Sequence, residues 1–302
     1  MSVVLLATVG CDRHSGASEK MSLAESLMDS RPDSALDILN SVNVETLDGK
    51  RNKARYALLK SMALDKNYVD TTNFDVLQPA IDYFLRKGTA DEKLKTYYYQ
   101  GRVYQNQGDD DSAMQSFMRG REYCGQASDT LMMANLLVAQ GTILYTTYKF
   151  DDFIKVNLEA TKLYKAIGKI DYEISCLANA LDGSIITNDK QLADSILYVA
   201  EARVCENEEL SSSISPYILL YAVNFGNDQE VVDIIHNYDS IQAIDDVTKI
   251  DLAEAYCKIG DSSNAMRVIN SIPSTSEHKT SLKYLALKPN VLELNGDFKG
   301  AL

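Results

Sequence analysis

Apolar residues in this chain return every three or four positions and never alternate with polar ones over a strand's length. The stretch Tyr97-Tyr98-Tyr99-Gln100-Gly101-Arg102-Val103-Tyr104 carries the pattern most clearly. It leads through Gln105-Asn106-Gln107-Gly108-Asp109 to Ala113 and Phe117. Tyr97 and Tyr104 lie four before and three after Gly101, on one helical face. Gly101 has no side chain, so a neighbouring helix can approach it closely. Gly108-Asp109 breaks the first helix, and Asp or Ser at 109–112 caps a second. Ala113 and Phe117 then turn a small and a large residue back onto the first helix.

The small residue opening the second helix recurs as a ruler. Ala113 is followed by Phe153, Ala193, Val231, Ala265 and Ala301, in steps of 40, 40, 38, 34 and 36 residues. Backwards, Ala80 lies 33 residues before Ala113, and Ala35 lies 45 before Ala80. The clearest later copy is Ala253-Glu254-Ala255-Tyr256-Cys257-Lys258-Ile259-Gly260-Asp261, followed by Ala265 and Ile269. A partial copy starts at Gly141 and leads to Phe153 and Ala160. The units around Ala193 and Val231 rest on spacing alone. Only 5 prolines occur, and Pro32, Pro79, Pro216 and Pro273 fall near expected helix ends. The longest loops are expected at Lys66–Asn73 and Glu206–Ser215.

These motifs resemble the tetratricopeptide repeat (TPR), a helix–turn–helix unit of about 34 residues. The resemblance implies an all-α, right-handed superhelical solenoid of about seven hairpins over residues 21–302, the last one incomplete. It also implies a scaffold that binds a protein or peptide partner, not an enzyme. In such folds the first helices line a concave groove. Residues matching the groove positions are Lys95, Tyr98, Arg102, Gln105 and Asn106 in one unit and Asn135, Val138, Thr142, Tyr145 and Thr146 in the next. Asp182 lies in a third, with Ser175, Ala178, Ile185 and Ile186. Tyr98, Arg102 and Tyr145 are the best anchors, because Tyr and Arg are enriched in binding hot spots. Some members grip a terminal carboxylate with a Lys/Asn/Arg clamp. The matching positions here hold Tyr98, Arg102, Ala139, Ser175 and Asn179, so that clamp is absent.

The N-terminus adds a location. Val3–Gly10 is apolar and too short to span a bilayer. Ala7-Thr8-Val9-Gly10-Cys11 resembles a bacterial lipobox, with small Gly10 before the cysteine that would be lipidated. Asp12–Ser18 then reads as a polar tether, so residues 1–20 are a signal remnant and linker. The alternative is the start of a buried helix. Ala24–Leu36 is similar to the opening of Bacteroidetes TPR lipoproteins. Together these imply a lipid-anchored protein on the periplasmic side of a bacterial membrane. At the other end, Leu294–Leu302 reads as a turn plus the first residues of a further helix, as in a fragment of a longer chain.

Charge and chemistry narrow the function. A net charge of −13 disfavours nucleic-acid partners. Cys124, Cys176, Cys205 and Cys257 lie 52, 29 and 52 residues apart, which excludes a zinc ribbon and suits buried thiols in a helical core. The three histidines, His14, His236 and His278, join no metal or catalytic motif. Asp109-Asp110-Asp111 suits helix capping better than calcium. No metal, cofactor or catalytic residue is expected. Three readings stay open: an extracytoplasmic sensor or interaction region of a signalling protein, a glycan-binding nutrient-uptake lipoprotein, and an outer-membrane assembly lipoprotein. The chain has no Trp and no large insertion, which counts against glycan binding.

Overall fold

The computed structural model describes residues 11–236, 244–297 and 300, with only the backbone of 11–15 and 208. The apolar run 3–10, the Cys11 side chain, Phe298 and Ala301 therefore lie outside the described residues. The helices fall into two compact units. The first, Met1–Thr146, contains α1 (Cys11–Leu27), α2 (Pro32–Asn40), α3 (Gly49–Lys66), α4 (Gln78–Lys87), α5 (Ala90–Gln107), α6 (Asp110–Arg121) and α7 (Thr130–Thr146). The second, Thr147–Leu302, contains α8 (Phe150–Ala166), α9 (Ile170–Ile186), α10 (Lys190–Cys205), α11 (Ser211–Phe225) and α12 (Asp228–Ile235). It continues with α13 (Asp246–Lys258), α14 (Ser262–Asn270) and α15 (Leu282–Leu294). No strand occurs among the described residues.

In the first unit, α1/α2, α3/α4 and α5/α6 are hairpins. Each second helix packs on the next first helix, α2 on α3, α4 on α5 and α6 on α7. The first helices also contact one another in series, α1–α3–α5–α7. The second unit repeats the scheme: α9/α10, α11/α12 and α13/α14 are hairpins, with first helices in the series α9–α11–α13–α15 and α8 on α9. This is the all-α, TPR-like repeat architecture expected from the sequence.

The ruler residues sit where the spacing puts them. Ala35, Ala80, Ala113, Phe153, Ala193, Val231 and Ala265 are all buried. All but Ala80 are the fourth residue of their helix, and each of those six donates its amide to the carbonyl four residues back, at 2.9–3.1 Å. Asp109, Asp189 and Asp261 cap three of these helices, each accepting the amide three residues on at 3.0 Å. Gly108 (φ 76) and Gly260 (φ 74) supply the left-handed residue before the cap, and Asn188 (φ 57) supplies it in the degenerate unit. In all three turns the cap amide returns to the carbonyl five residues back, Asp109 to Tyr104, Asp189 to Ser184 and Asp261 to Tyr256. Asn is one of the few other residues that adopt that conformation, and with the same bond back to the carbonyl five residues away Asn188-Asp189 forms the same turn as Gly108-Asp109.

Gly101 shows the close approach most directly. The Phe117 ring occupies the space a side chain at 101 would need, and both residues are buried. Tyr98 lies beside the same ring, with centroids 6.0 Å apart. Gly183 is filled in the same way by Ile154 and Phe153.

Three features differ from the sequence expectations. Residues 12–18 are helical, part of α1, where a tether was expected. Ala17, Met21, Ala24 and Met28 are buried at spacings of four, three and four, and that periodicity overrides a polar, Ser-rich composition. Pro216 stands inside α11, not at its end, and the Glu206–Ser215 loop is shortened by a 3-10 turn at Glu208–Leu210. Among the described residues the cysteines form no disulfide, and Cys176 is buried as expected, but Cys124 and Cys257 are only half-buried and Cys205 is exposed.

Among the described residues the buried charged groups Glu173, Lys249 and Asp251 are all paired. Glu173, 1% exposed, accepts two bonds of 2.9 Å from Arg203, which ties α9 to α10. Lys258 reaches from α13 to the carbonyls of Ala222 (3.0 Å), Val223 and Gly226 (2.8 Å), closing the C-terminal end of α11.

Phe117→Ala is expected to cost about 3–5 kcal/mol in urea unfolding. Gly101→Val is expected to destabilise wild type strongly and the Phe117→Ala protein much less, because the cavity admits the new side chain. Additive losses in that double-mutant cycle would contradict the contact.

Candidate functional site

The expected groove residues of the first unit lie on α5 and α7. On α5, Lys95, Tyr98, Arg102 and Gln105 form a line at helical spacing. Lys95 pairs with Asp129 at 2.8 Å, just ahead of α7. Arg102 donates from Nε to Asp65 of α3 at 2.9 Å and from Nη1 to Gln105 at 2.9 Å. Burial works against the Arg102 charge, but Asp65 holds its pKa above the usual value. Burial pushes the Tyr98 phenol well up, with the Asp65 carboxylate adding to the rise. Tyr98 is therefore a neutral phenol with a partly exposed edge, and Arg102 beside it keeps donors beyond the two it uses.

Asn106 has a different job. Its side chain donates to Thr71 at 3.2 Å, and Gln107 donates to Thr72 at 2.9 Å. With Tyr104 edge-on to Phe74 at 4.9 Å, they fasten the long α3–α4 loop to the end of α5. On α7, Asn135 is half-buried, while Thr142 is exposed and donates back to Val138 at 3.3 Å. Tyr145 is 42% exposed, as an anchor requires. Asp182 belongs to the second unit, half-buried on α9.

Sequence reasoning missed a ladder of ion pairs between successive repeats. Arg55–Glu25 (2.6 Å) and Lys66–Asp29 (3.0 Å) tie α3 to the first hairpin, and Arg51–Glu92 (2.6 Å) and Asp65–Arg102 tie α3 to α5. Lys95–Asp129 continues it. Asp91 strengthens this last step by accepting the Ser128 amide (2.8 Å) and hydroxyl (2.8 Å) and the Asp129 amide (2.9 Å). Burial opposes its charge, but these bonds and Lys95 hold its pKa below the usual carboxylate value. The partners are 30 to 41 residues apart, about one repeat. That separation was the available signal. Each exposed pair is worth no more than about 1 kcal/mol, so the ladder chiefly sets register. Between its rungs, α1, α3 and α5 enclose a cleft of about 430 Å³ with Leu58, Leu59 and Met62 in its lining.

The second unit has its own polar cluster. Lys283 of α15 bridges Asp251 at 2.6 Å and Glu254 at 3.0 Å, both on α13. Burial raises the Asp251 pKa to about 6 even though Lys283 opposes the rise, and Glu254 and Asp182 add to it. Burial works against the Lys283 charge, but the two carboxylates hold its pKa above the usual lysine value. Tyr217 on α11 is raised by burial and by Asp182 and Asp251. Among the described residues no group of three or more His, Cys, Asp or Glu could hold a metal ion. No described helix is long and apolar enough to cross a membrane.

No family model and no curated protein matches this sequence. Among solved structures, the chain is similar to the crystal structure of a Rap protein complexed with Competence and Sporulation Factor. The TM-score is 0.56 at 12% identity, over 94% of this chain and 82% of that one. The shared feature is the fold.

Asp251 sets a pH dependence. Its folded pKa lies above the unfolded value, so its contribution to stability is greatest below about pH 4 and is lost as pH rises through about 6. The loss is bounded at about 3 kcal/mol. Asp251→Asn is expected to flatten the urea-unfolding free energy of the full chain between about pH 4 and 7. An unchanged slope would place the titration elsewhere.

Proposed function

We propose that this protein is a non-enzymatic interaction scaffold whose first-helix face receives a protein or peptide partner. The observation that carries the reading is the α5 face. There a neutral Tyr98 and a half-buried Arg102 with spare donors stand side by side on a rigid repeat, anchored from behind by Phe117 and Asp65. Aromatic and guanidinium anchors fixed on packed helices are the usual content of binding hot spots. The similar Rap structure, solved with Competence and Sporulation Factor, supports partner binding as a use of this architecture. Tyr145 on α7 widens the same face.

Within that reading, the chain is the extracytoplasmic, lipid-anchored interaction region of a bacterial signalling protein. Support comes from the sequence Ala7–Cys11 and from the similarity of Ala24–Leu36 to Bacteroidetes TPR lipoproteins. A thioether-linked diacylglycerol on Cys11 would tether α1 directly at the membrane surface, each buried methylene contributing about 0.8 kcal/mol.

Two measurements test these statements. Tyr98→Ala with Arg102→Ala is expected to weaken every partner recovered by crosslinking and pulldown at least 10-fold, about 1.4 kcal/mol, with helicity retained. Unchanged affinity would move the binding face elsewhere. Cys11→Ser is expected to shift the protein from the membrane to the soluble fraction and to abolish incorporation of labelled fatty acid. Persistence of both would remove the anchor.

A further inference from the structure

α15 ends in the turn that closes the other first helices. Gly296 is left-handed (φ 82), the Asp297 amide returns to the Leu292 carbonyl at 2.9 Å, and the Asp297 carboxylate accepts the Gly300 amide at 2.9 Å. Gly108-Asp109, Asn188-Asp189 and Gly260-Asp261 make the same bonds, and each leads into a second helix. The shared turn puts the first helices in a common register.

Counted back from the left-handed residue, Leu94, Ile174 and Leu282 lie 14 positions before it, and Tyr97, Leu177 and Leu285 lie 11 before it. On α5 and α9 these places are covered. Leu94 and Ile174 are fully buried, and Leu177 is 2% exposed. On α5 the second helix provides the cover. A Cβ on Gly120 of α6 would lie 3.2 Å from the Tyr97 Cβ and 3.7 Å from the Leu94 carbonyl oxygen, and the Tyr97 ring stacks on Tyr123 with centroids 6.0 Å apart. On α15 the same two places are open: Leu282 is 83% exposed and Leu285 53%. Tyr284, Leu287 and Val291 already pack α15 into the core it shares with α13 and α14. The two leucines therefore form a second apolar face on α15, beyond the one its own core uses.

We propose that the Leu282–Leu285 face of α15 receives an amphipathic helix of a partner protein, seated as α6 is seated on α5. Such docking continues the interface by which this chain stacks its own helices, and it is a recurrent mode of peptide recognition. The second helices of the chain define what fits: a small residue, then an apolar one four positions on, as in Ala35 and Leu39, Ala113 and Phe117, or Ala265 and Ile269, all buried. Pro289 stands where α5 has Gly101, seven positions before the turn, so a side chain smaller than Phe117 is expected above it. The face lies in the second unit and shares no residue with the Tyr98–Arg102 face, so either can bind without the other.

A phage-displayed library of helix-forming peptides, randomised along one face and panned on the purified full chain, tests it. Enriched peptides are expected to carry Ala, Gly or Ser followed four positions on by Leu, Ile, Val or Met. Synthetic copies are expected to bind at least 10-fold more weakly to Leu282→Glu with Leu285→Glu, and within about threefold of wild type to Leu282→Met with Leu285→Met. The glutamate variant is expected to unfold at the wild-type temperature, because both leucines stand in solvent. No enrichment, or enriched peptides indifferent to the glutamates, would overturn the proposal. A large loss of thermal stability in the glutamate variant would overturn it too, by showing that a helix of this polypeptide covers the face. So would a wild-type dimer that the glutamates dissociate, which would assign the face to a second copy. Peptide binding lost only with Tyr98→Ala and Arg102→Ala would remove this site and leave the α5 face standing.

Discussion

In most of the hairpins the residue at the second helix's fourth position is small, or the facing helix offers no side chain, and the second helix can reach its neighbour. At α5/α6 both conditions hold: Ala113 is fully buried, and Phe117 fills the space above Gly101. Dispersion contacts fall off within an ångström, so this approach distance decides whether each hairpin is packed or hollow. Repeats stabilise one another only through such interfaces. A hairpin that misses its spacing would therefore also leave the next first helix uncovered.

Polar contacts act on a different axis. The Arg55–Glu25, Arg51–Glu92, Arg102–Asp65 and Lys95–Asp129 pairs contribute little energy singly. They fix how far one first helix slides along the next, and so which side chains share a face. Tyr98 and Arg102 are held in place by that register. A site built this way is positioned by the stack and not by a loop.

Much of the fold was legible from the chain, because steric rules leave marks in residue size. Gly101, Ala113 and Ala265 could be read without partners, since a small residue is needed at those places. Asn188-Asp189 was harder, because Asn replaces Gly in a left-handed turn and hides the punctuation. The α1 helix was obscured because its polar, Ser-rich composition masks a stripe carried by Ala17, Met21, Ala24 and Met28. The ion-pair ladder was hard to read, since its one signal, opposite charges about a repeat apart, does not say which of many such charges will meet. Of the candidate site, Tyr98 and Arg102 share one line along α5, whereas the Asn106 side chain bonds to the α3–α4 loop.

Lys258 shows how geometry can select a residue beyond its charge. One ammonium meets three carbonyls that converge from the last turn of α11. A tetrahedral nitrogen with three rotating hydrogens can aim at all of them from a single point. A planar guanidinium spreads its hydrogens along a fixed fork and cannot close on the same trio. The position therefore discriminates between two cations of equal sign, and an acetyl group on that nitrogen would remove its charge and leave one N–H for three carbonyls.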